Sequence, residues 1–332
     1  MTTNSTQFIL PDLFAHLPYP LRINPQCEEQ SRASNSWLSD GVGFSEERRT
    51  TFVKAKFGLL VSMCYPDTDA YHLRLLMDYM NWAFVMDDSG DEVSQESFKV
   101  ALKSSLAAMR DPVNYRTDEK AGLLTKSWFG RFAQRADPSI LKRFIDYMGL
   151  TLQAIHQEVE DRDAGHNPNL EVYIACCRHT SGANTFYPWY EFCGGYVLPE
   201  NVLKHEVIKS LEEASNDYSA WINDLFSYNK EISKGLGYNM VAVVMKENGL
   251  SLQDAVNEVG ERCNSCVDRF ERDRKRLPSW GPEIDGHVAK YVMSLQDWMT
   301  GNLYWSFESE RYFGNEGTEI RKNRVVRCQP LS

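Results

Sequence analysis

Residues 221–231 read WINDLFSYNKE. In an α-helix, side chains four apart lie above one another, so Asn223, Ser227 and Glu231 share one face. All three offer oxygen atoms to a hard cation. Lys230, seven residues past Asn223, returns to nearly the same side. Upstream on that face come Asn216, Ser219 and Ala220, small side chains that leave room for a ligand. An isolated stripe of this kind also suits a solvated helix surface, so its meaning depends on the rest of the chain.

Outward from this stretch, helical periodicity dominates and strand-like alternation is scarce. The apparent helices run over about 45–64, 68–91, 94–109, 119–135, 138–163, 169–193, 200–234, 239–278 and 283–312. Short breaks rich in Pro, Gly, Asp and Asn separate them, such as RDP at 110–112, GHNPN at 165–169 and SWGPE at 279–283. No low-complexity linker or internal repeat divides the chain. The expectation is an all-α protein: an N-terminal arm over residues 1–40, partly ordered, followed by one helical domain over 41–332.

A second polar feature is FVMDDSGDE at 84–92. Leu73, Leu76, Met77, Met80 and Phe84 form one apolar helix face, and Asp87 and Asp91 continue it. Carboxylates at the end of a core-facing stripe point over whatever the stripe lines, and burying them uncompensated costs several kcal/mol each. A solvated helix end, a calcium loop and a metal site for an anionic ligand are the candidates. An EF-hand loop starting at Asp87 fails, because Glu92 and Phe98 stand where Gly and Glu are needed. Two further pieces can answer an anion. Arg311 offers a forked donor beside the Tyr312 hydroxyl, and Arg178 precedes Ser181 and Gly182 by one turn. A mid-helix glycine at 182 costs about 1 kcal/mol relative to alanine and marks a break or a close approach.

Composition narrows the function classes. The 332-residue chain carries a net charge of −10, which argues against a nucleic-acid partner. No run of 18 apolar residues predicts a membrane span. The opening MTTNSTQFILPDLFAHLPYP lacks the basic and apolar regions of a secretory signal. Eight scattered cysteines fit reduced thiols in a cytoplasmic protein. Cys263 and Cys266 form a lone C-x-x-C without the second pair that zinc requires.

Together these pieces resemble the class I terpene synthases, most closely the fungal sesquiterpene cyclases. DDSGD at 87–91 matches their D-D-x-x-D motif, and NDLFSYNKE at 223–231 matches their N-D-x-x-S-x-x-K-E motif. Arg311–Tyr312 matches their C-terminal pair, and Arg178, Ser181 and Gly182 match their pyrophosphate-sensing, linker and effector positions. The resemblance covers roughly residues 45–315. Prenyl chain-elongating synthases share the first motif but carry a second aspartate-rich one, and the D-x-D-D of protonation-initiated cyclases fails at DTDA, 67–70.

The resemblance implies a helical bundle around an apolar cavity. It implies ionisation of an allylic prenyl diphosphate, farnesyl diphosphate foremost, with three Mg²⁺ ions and release of pyrophosphate. Asp87, Asp91, Asn223, Ser227 and Glu231 would be metal ligands. Arg178, Lys230, Arg311 and Tyr312 would bind diphosphate. Asp88, Ser181 and Gly182 would serve closure, with Asp88 pairing Arg311. Phe57, Phe84, Phe186 and Trp305 would line the pocket. The rival readings are a synthase of linear terpene alcohols, a chain-elongating synthase, and a helical lipid-binding or scaffold protein. The chain is expected to be a monomer or homodimer.

Overall fold

The computed structural model describes residues 7–92, 95–163, 168–233 and 238–328. The chain begins with strand β1 (Gln7–Ile9) and helices α1 (Leu13–His16), α2 (Cys27–Val42), α3 (Glu46–Lys54), α4 (Phe57–Cys64), α5 (Ala70–Glu92) and α6 (Gln95–Arg110). It continues through α7 (Lys120–Ala133), α8 (Pro138–Asp163), α9 (Leu170–Thr180), a 3₁₀ turn (Ala183–Phe186), α10 (Tyr187–Gly194) and α11 (Glu200–Leu203). The last part holds α12 (Glu206–Ser233), α13 (Met240–Asn248), α14 (Leu252–Arg274), α15 (Pro282–Glu308), α16 (Glu310–Phe313), α17 (Gly317–Asn323) and strand β2 (Val325–Arg327). The all-α expectation holds, with one small exception. β1 and β2 pair antiparallel, Phe8 opposite Val326, and so join the two ends of the described chain.

α12 is the central element. From Val207 to Tyr228 most of its residues are buried, and it packs against α9, α13, α14 and α15. A helix apolar on several sides is stable only inside a bundle. α5 lies elsewhere in the bundle, packed on α2, α4 and α7. α15 approaches α4 closely because Gly301 has no side chain. A Cβ there would meet Cys64 Sγ at 2.7 Å and the Cys64 backbone nitrogen at 3.1 Å.

Several long helices expected from periodicity are broken where tertiary contacts override it. The stretch 45–64 divides at Lys56, whose φ of 51° and ψ of 41° are left-handed. That conformation costs a non-glycine residue about 1–2 kcal/mol. The Trp305 indole Nε1 holds it by donating to the carbonyls of Ala55 (2.9 Å) and Lys56 (3.0 Å). The stretch 169–193 divides at Gly182 (φ 68°), where glycine avoids that penalty. The stretch 283–312 turns at Ser309 between α15 and α16.

The arm expected over 1–40 carries β1, α1 and most of α2 over its described residues, and α2 was not anticipated. Its Phe8, Leu10, Leu13 and Leu38 are buried in the common core, and the Phe8 ring meets that of Tyr228 edge-on. The hydrophobic burial of these residues, about 1.5–3 kcal/mol each, holds the segment down. Residues 1–6 lie outside the described residues. All eight cysteines are free thiols. No described helix is long and apolar enough to cross a membrane.

Arg22 ties the N-terminal segment to the bundle through Asp297 of α15 (2.6 Å) and Asp67 (2.6 Å). Burial pushes the Asp297 carboxyl up to about 6, although Arg22 pulls the other way. An acid whose folded pKa exceeds its unfolded value holds its proton more tightly when folded. It therefore makes stability fall as pH rises between the two values. We expect Asp297→Asn to remove that slope from about pH 4 to about pH 6, a relative gain of up to about 3 kcal/mol. Urea denaturation of both proteins across that window measures it; parallel stability curves would refute the assignment.

Candidate active site

The motif residues of α5 and α12 sit on separate elements. The short helix α16 connects them. Its Arg311 donates from both terminal nitrogens to the two oxygens of Asp88 on α5, each at 3.3 Å, and lies 3.8 Å from Asp87. Its neighbour Tyr312 accepts a 2.6 Å bond from Asn223 Nδ2 on α12. The expected pairing of Asp88 with Arg311 is therefore present. The guanidinium is only 14% exposed. Burial pushes its pKa down, but Asp88, Tyr312 and Asp87 together outweigh burial and hold it above the ordinary arginine value. Burial pushes the Tyr312 phenol up to about 12, so it keeps its proton at neutral pH.

Beneath Arg311 lies an aromatic floor. Its Cζ is 4.7 Å from the Phe84 ring centre and 5.6 Å from that of Phe57. The two rings stack at 4.0 Å, and Trp305 lies 5.9 Å from each. A cation over a ring face gains about 0.5–2 kcal/mol. Phe57 and Trp305 are buried, whereas Phe84 is half-buried. Phe186 is placed apart from this trio: its ring meets Tyr79 and Trp298, and its carbonyl accepts from Tyr65 Oη. A cavity of about 400 Å³ opens between α2, α3 and α4, lined by Ser31, Asn35, Arg49 and Lys56 among others. None of the expected pocket or motif residues lines it.

On α12 the predicted face is present. Asn223 is exposed, Ser227 is buried and Glu231 is half-buried. Ser227 Oγ has no hydrogen-bond partner although it is buried. A buried orphan hydroxyl costs about 1–3 kcal/mol, and a cation ligated there would satisfy it. Asp87 is exposed at the end of α5. The Asp91 side chain lies outside the described residues. Lys230 is half-buried in the last turn of α12. No cluster of three or more His, Cys, Asp or Glu fit for a metal occurs among the described residues.

Two residues here escaped sequence reading. Asp224, inside the motif, is not on the ligand face; it is buried and accepts from Tyr173 Oη (2.7 Å) and the Met240 backbone N–H (3.2 Å). Burial first, and then the nearby Glu231 charge, push its pKa well above the carboxylate range. Asn239 is fully buried and donates from Nδ2 to the Asp224 carbonyl (2.9 Å) and Glu231 Oε2 (3.0 Å). It thereby orients Glu231. Its only signal in the sequence is an N-cap position, confirmed by its bond from Val241 N–H at 2.9 Å.

Arg178 is not part of the Arg311 constellation. It makes a fork to the buried Asp217, at 2.7 and 2.9 Å, and approaches Glu213 at 3.3 Å. Its fork is thus engaged by acidic side chains of α12. Ser181 Oγ donates to Asn216 Oδ1 (2.8 Å), and Asn216 Nδ2 donates to the Arg178 carbonyl (2.7 Å). Arg269 of α14 also binds Asp217, at 2.7 Å. Asp217 is 1% exposed, so its charge needs both arginines. We expect Asp217→Ala to destabilise by about 3–5 kcal/mol, and Arg178→Ala by clearly less because Arg269 remains. Urea titration checks the order; equal losses would mean that Arg269 does not compensate.

A family model described as "Terpene synthase family 2, C-terminal metal binding" matches residues 78–269. "Sesquiterpene synthase 1" of Postia placenta is 42% identical, over 99% of this chain and 97% of that protein. "Sesquiterpene synthase Agr1" of Cyclocybe aegerita is 37% identical, over 99% and 95%. Among solved structures, a-eudesmol synthase superposes with a TM-score of 0.80 at 20% identity, over 87% of this chain and 97% of that one, a likeness of fold. The matched region contains both motifs, and the likeness to these relatives runs nearly end to end: the chain belongs to the terpene synthase family.

Proposed function

We propose that the protein ionises an allylic prenyl diphosphate, farnesyl diphosphate foremost, and converts it to a sesquiterpene with release of pyrophosphate, a carbon–oxygen lyase reaction. The observation that carries this reading is the α16 bridge. One two-residue unit, Arg311–Tyr312, binds Asp88 on the first motif and Asn223 on the second. The unit presents a charged fork and a protonated phenol at the junction of two oxygen-rich faces, the donor set that a diphosphate flanked by cations needs.

The residues fit divalent cations. Asp87 and Asp91 would serve one face; Asn223, Ser227 and Glu231 would serve the other, with Ser227 Oγ gaining its missing partner. Three Mg²⁺ ions, held there, supply Lewis-acid stabilisation of charge on the departing pyrophosphate. The neutral Asn and Ser oxygens cancel less of that charge than carboxylates would. Arg311 and Tyr312 donate to the leaving oxygens and strengthen as charge develops. Lys230 lies near the same face, and Arg178 joins only after leaving Asp217. No nucleophilic side chain is required. Ionisation leaves an allylic carbocation, so water must be excluded. The Phe57, Phe84 and Trp305 rings stabilise a passing cation without reacting with it. Phe186, with Tyr79 and Trp298, would contribute a more distant wall.

Incubation with C10, C15 and C20 diphosphates plus Mg²⁺, followed by gas chromatography, tests the reading. We expect C15 products in which cyclic skeletons prevail. Consumption of isopentenyl diphosphate with chain growth would replace it with an elongating synthase. Predominantly linear alcohols would mean early quenching by water. Magnesium-independent binding without turnover would leave a lipid-binding protein.

For the second motif, Glu231→Gln is expected to lower turnover at least ~10²-fold, since losing a ligand removes several kcal/mol of charge stabilisation. The fold should survive, because Asn239 can still donate to a Gln oxygen. Steady-state rates beside circular dichroism check this, and near-normal activity in a well-folded variant would reject the ligand assignment.

A further inference from the structure

Lys56 stands at the junction of α3 and α4, well before either motif, yet it reaches the peptide that carries Arg311 and Tyr312. Its Nζ donates to the Glu308 carbonyl at 2.6 Å, in the last turn of α15. Its own carbonyl accepts from Trp305 Nε1 at 3.0 Å, while that indole also binds the Ala55 carbonyl. Two residues earlier, Lys54 Nζ pairs with Glu310 Oε2 at 3.0 Å. That last pair is solvent-exposed and weak. Lys56 is solvent-exposed as well, but its two bonds converge on the last turn of α15, residues 305–308, from which α16 is launched.

α16 needs such a hold. It is four residues long, and Ser309 at its start makes no side-chain capping bond. The Ser309 hydroxyl is buried without a partner. So little short-range order fixes where Arg311 lies. Lys56 also precedes Phe57, whose ring lies under the Arg311 guanidinium. A single left-handed residue thus sets the ring below Arg311 and the backbone from which Arg311 projects.

We infer that Lys56 is a positioning residue for the Arg311–Tyr312 pair: its ammonium, by capping the Glu308 carbonyl, fixes the distance at which that pair meets the diphosphate. The inference rests on the function proposed above. An ammonium to a carbonyl is a charge-assisted bond, short and directional. Misplacing a catalytic group by about 1 Å can cost ~10²-fold in rate.

Three substitutions separate positioning from packing. Lys56→Met keeps the chain length and the left-handed strain but removes the donor. Lys56→Gly also removes the donor, yet it relieves the backbone strain and so should hold or raise the melting temperature. Lys56→Arg retains a donor. We expect Lys56→Met and Lys56→Gly to lose at least ~10-fold in kcat, with a shift toward linear, water-quenched products, whatever their melting temperatures. Lys56→Arg should recover most of the rate. In an Arg311→Ala background, Lys56→Met should add little further loss, because the two act as a unit. Wild-type kcat and product ratio in a folded Lys56→Gly would overturn the inference alone. So would losses that follow the folded fraction in all three variants, or full additivity with Arg311→Ala. Absence of farnesyl diphosphate turnover by the wild-type protein would overturn both this inference and the proposed function.

Discussion

The Arg311 guanidinium is clamped between a carboxylate pair and an aromatic floor, and the arrangement of the site depends on that clamp. A buried arginine is tolerable only when its charge is answered. Here Asp88 answers at 3.3 Å and the Phe84 ring supports it at 4.7 Å. Because Tyr312 is covalently next, satisfying Arg311 also delivers a phenol to Asn223. One electrostatic requirement thus registers α5 against α12, two helices whose other contacts are with different neighbours. Of the carboxylates at the end of α5, Asp88 neutralises the arginine, and under the proposed function Asp87 would face a cation.

Behind the bridge, the bundle supplies rigidity in layers. α12 is buried along most of its length, so its Asn–Ser–Glu face cannot rotate without disturbing the core. Asn239 fixes Glu231 from behind, and Asp224 anchors the start of α13 to α9 through Tyr173. Asp217, between Arg178 and Arg269, ties α9, α12 and α14 together. Arg178 gives the site its least settled feature. Its present partners are acidic side chains of α12, so recruiting it to an anion would exchange one charge-assisted fork for another.

Much of this was legible in sequence because helical spacing is a local property. The faces of α5 and α12, the Asp88–Arg311 pairing and the break at Gly182 follow from periodicity, motif resemblance and glycine chemistry. What escaped detection was set by contacts distant in sequence. Lys56 breaks a continuous helical pattern because Trp305, some 249 residues on, binds its carbonyl. Phe186 looks like any pocket aromatic in sequence, but the turn after Gly182 directs it to Tyr79 and Trp298. β1 and β2 are too short for alternation to register, and they exist because the two chain segments meet. Asn239 and Asp224 reveal their work only through bonds to Glu231 and Tyr173.

Under the proposed function the α5 and α12 faces, joined by Arg311–Tyr312, share one cation–pyrophosphate cluster. Anomalous scattering from crystals grown with Mn²⁺ and pyrophosphate tests it most directly. We expect metal peaks within bonding distance of Asp87 and of Ser227 Oγ, about 2.0–2.3 Å for hard oxygen ligands, with Arg311 and Tyr312 on the pyrophosphate between them. Pyrophosphate bound without metal at Ser227, or metal only at a surface carboxylate remote from Arg311, would contradict it.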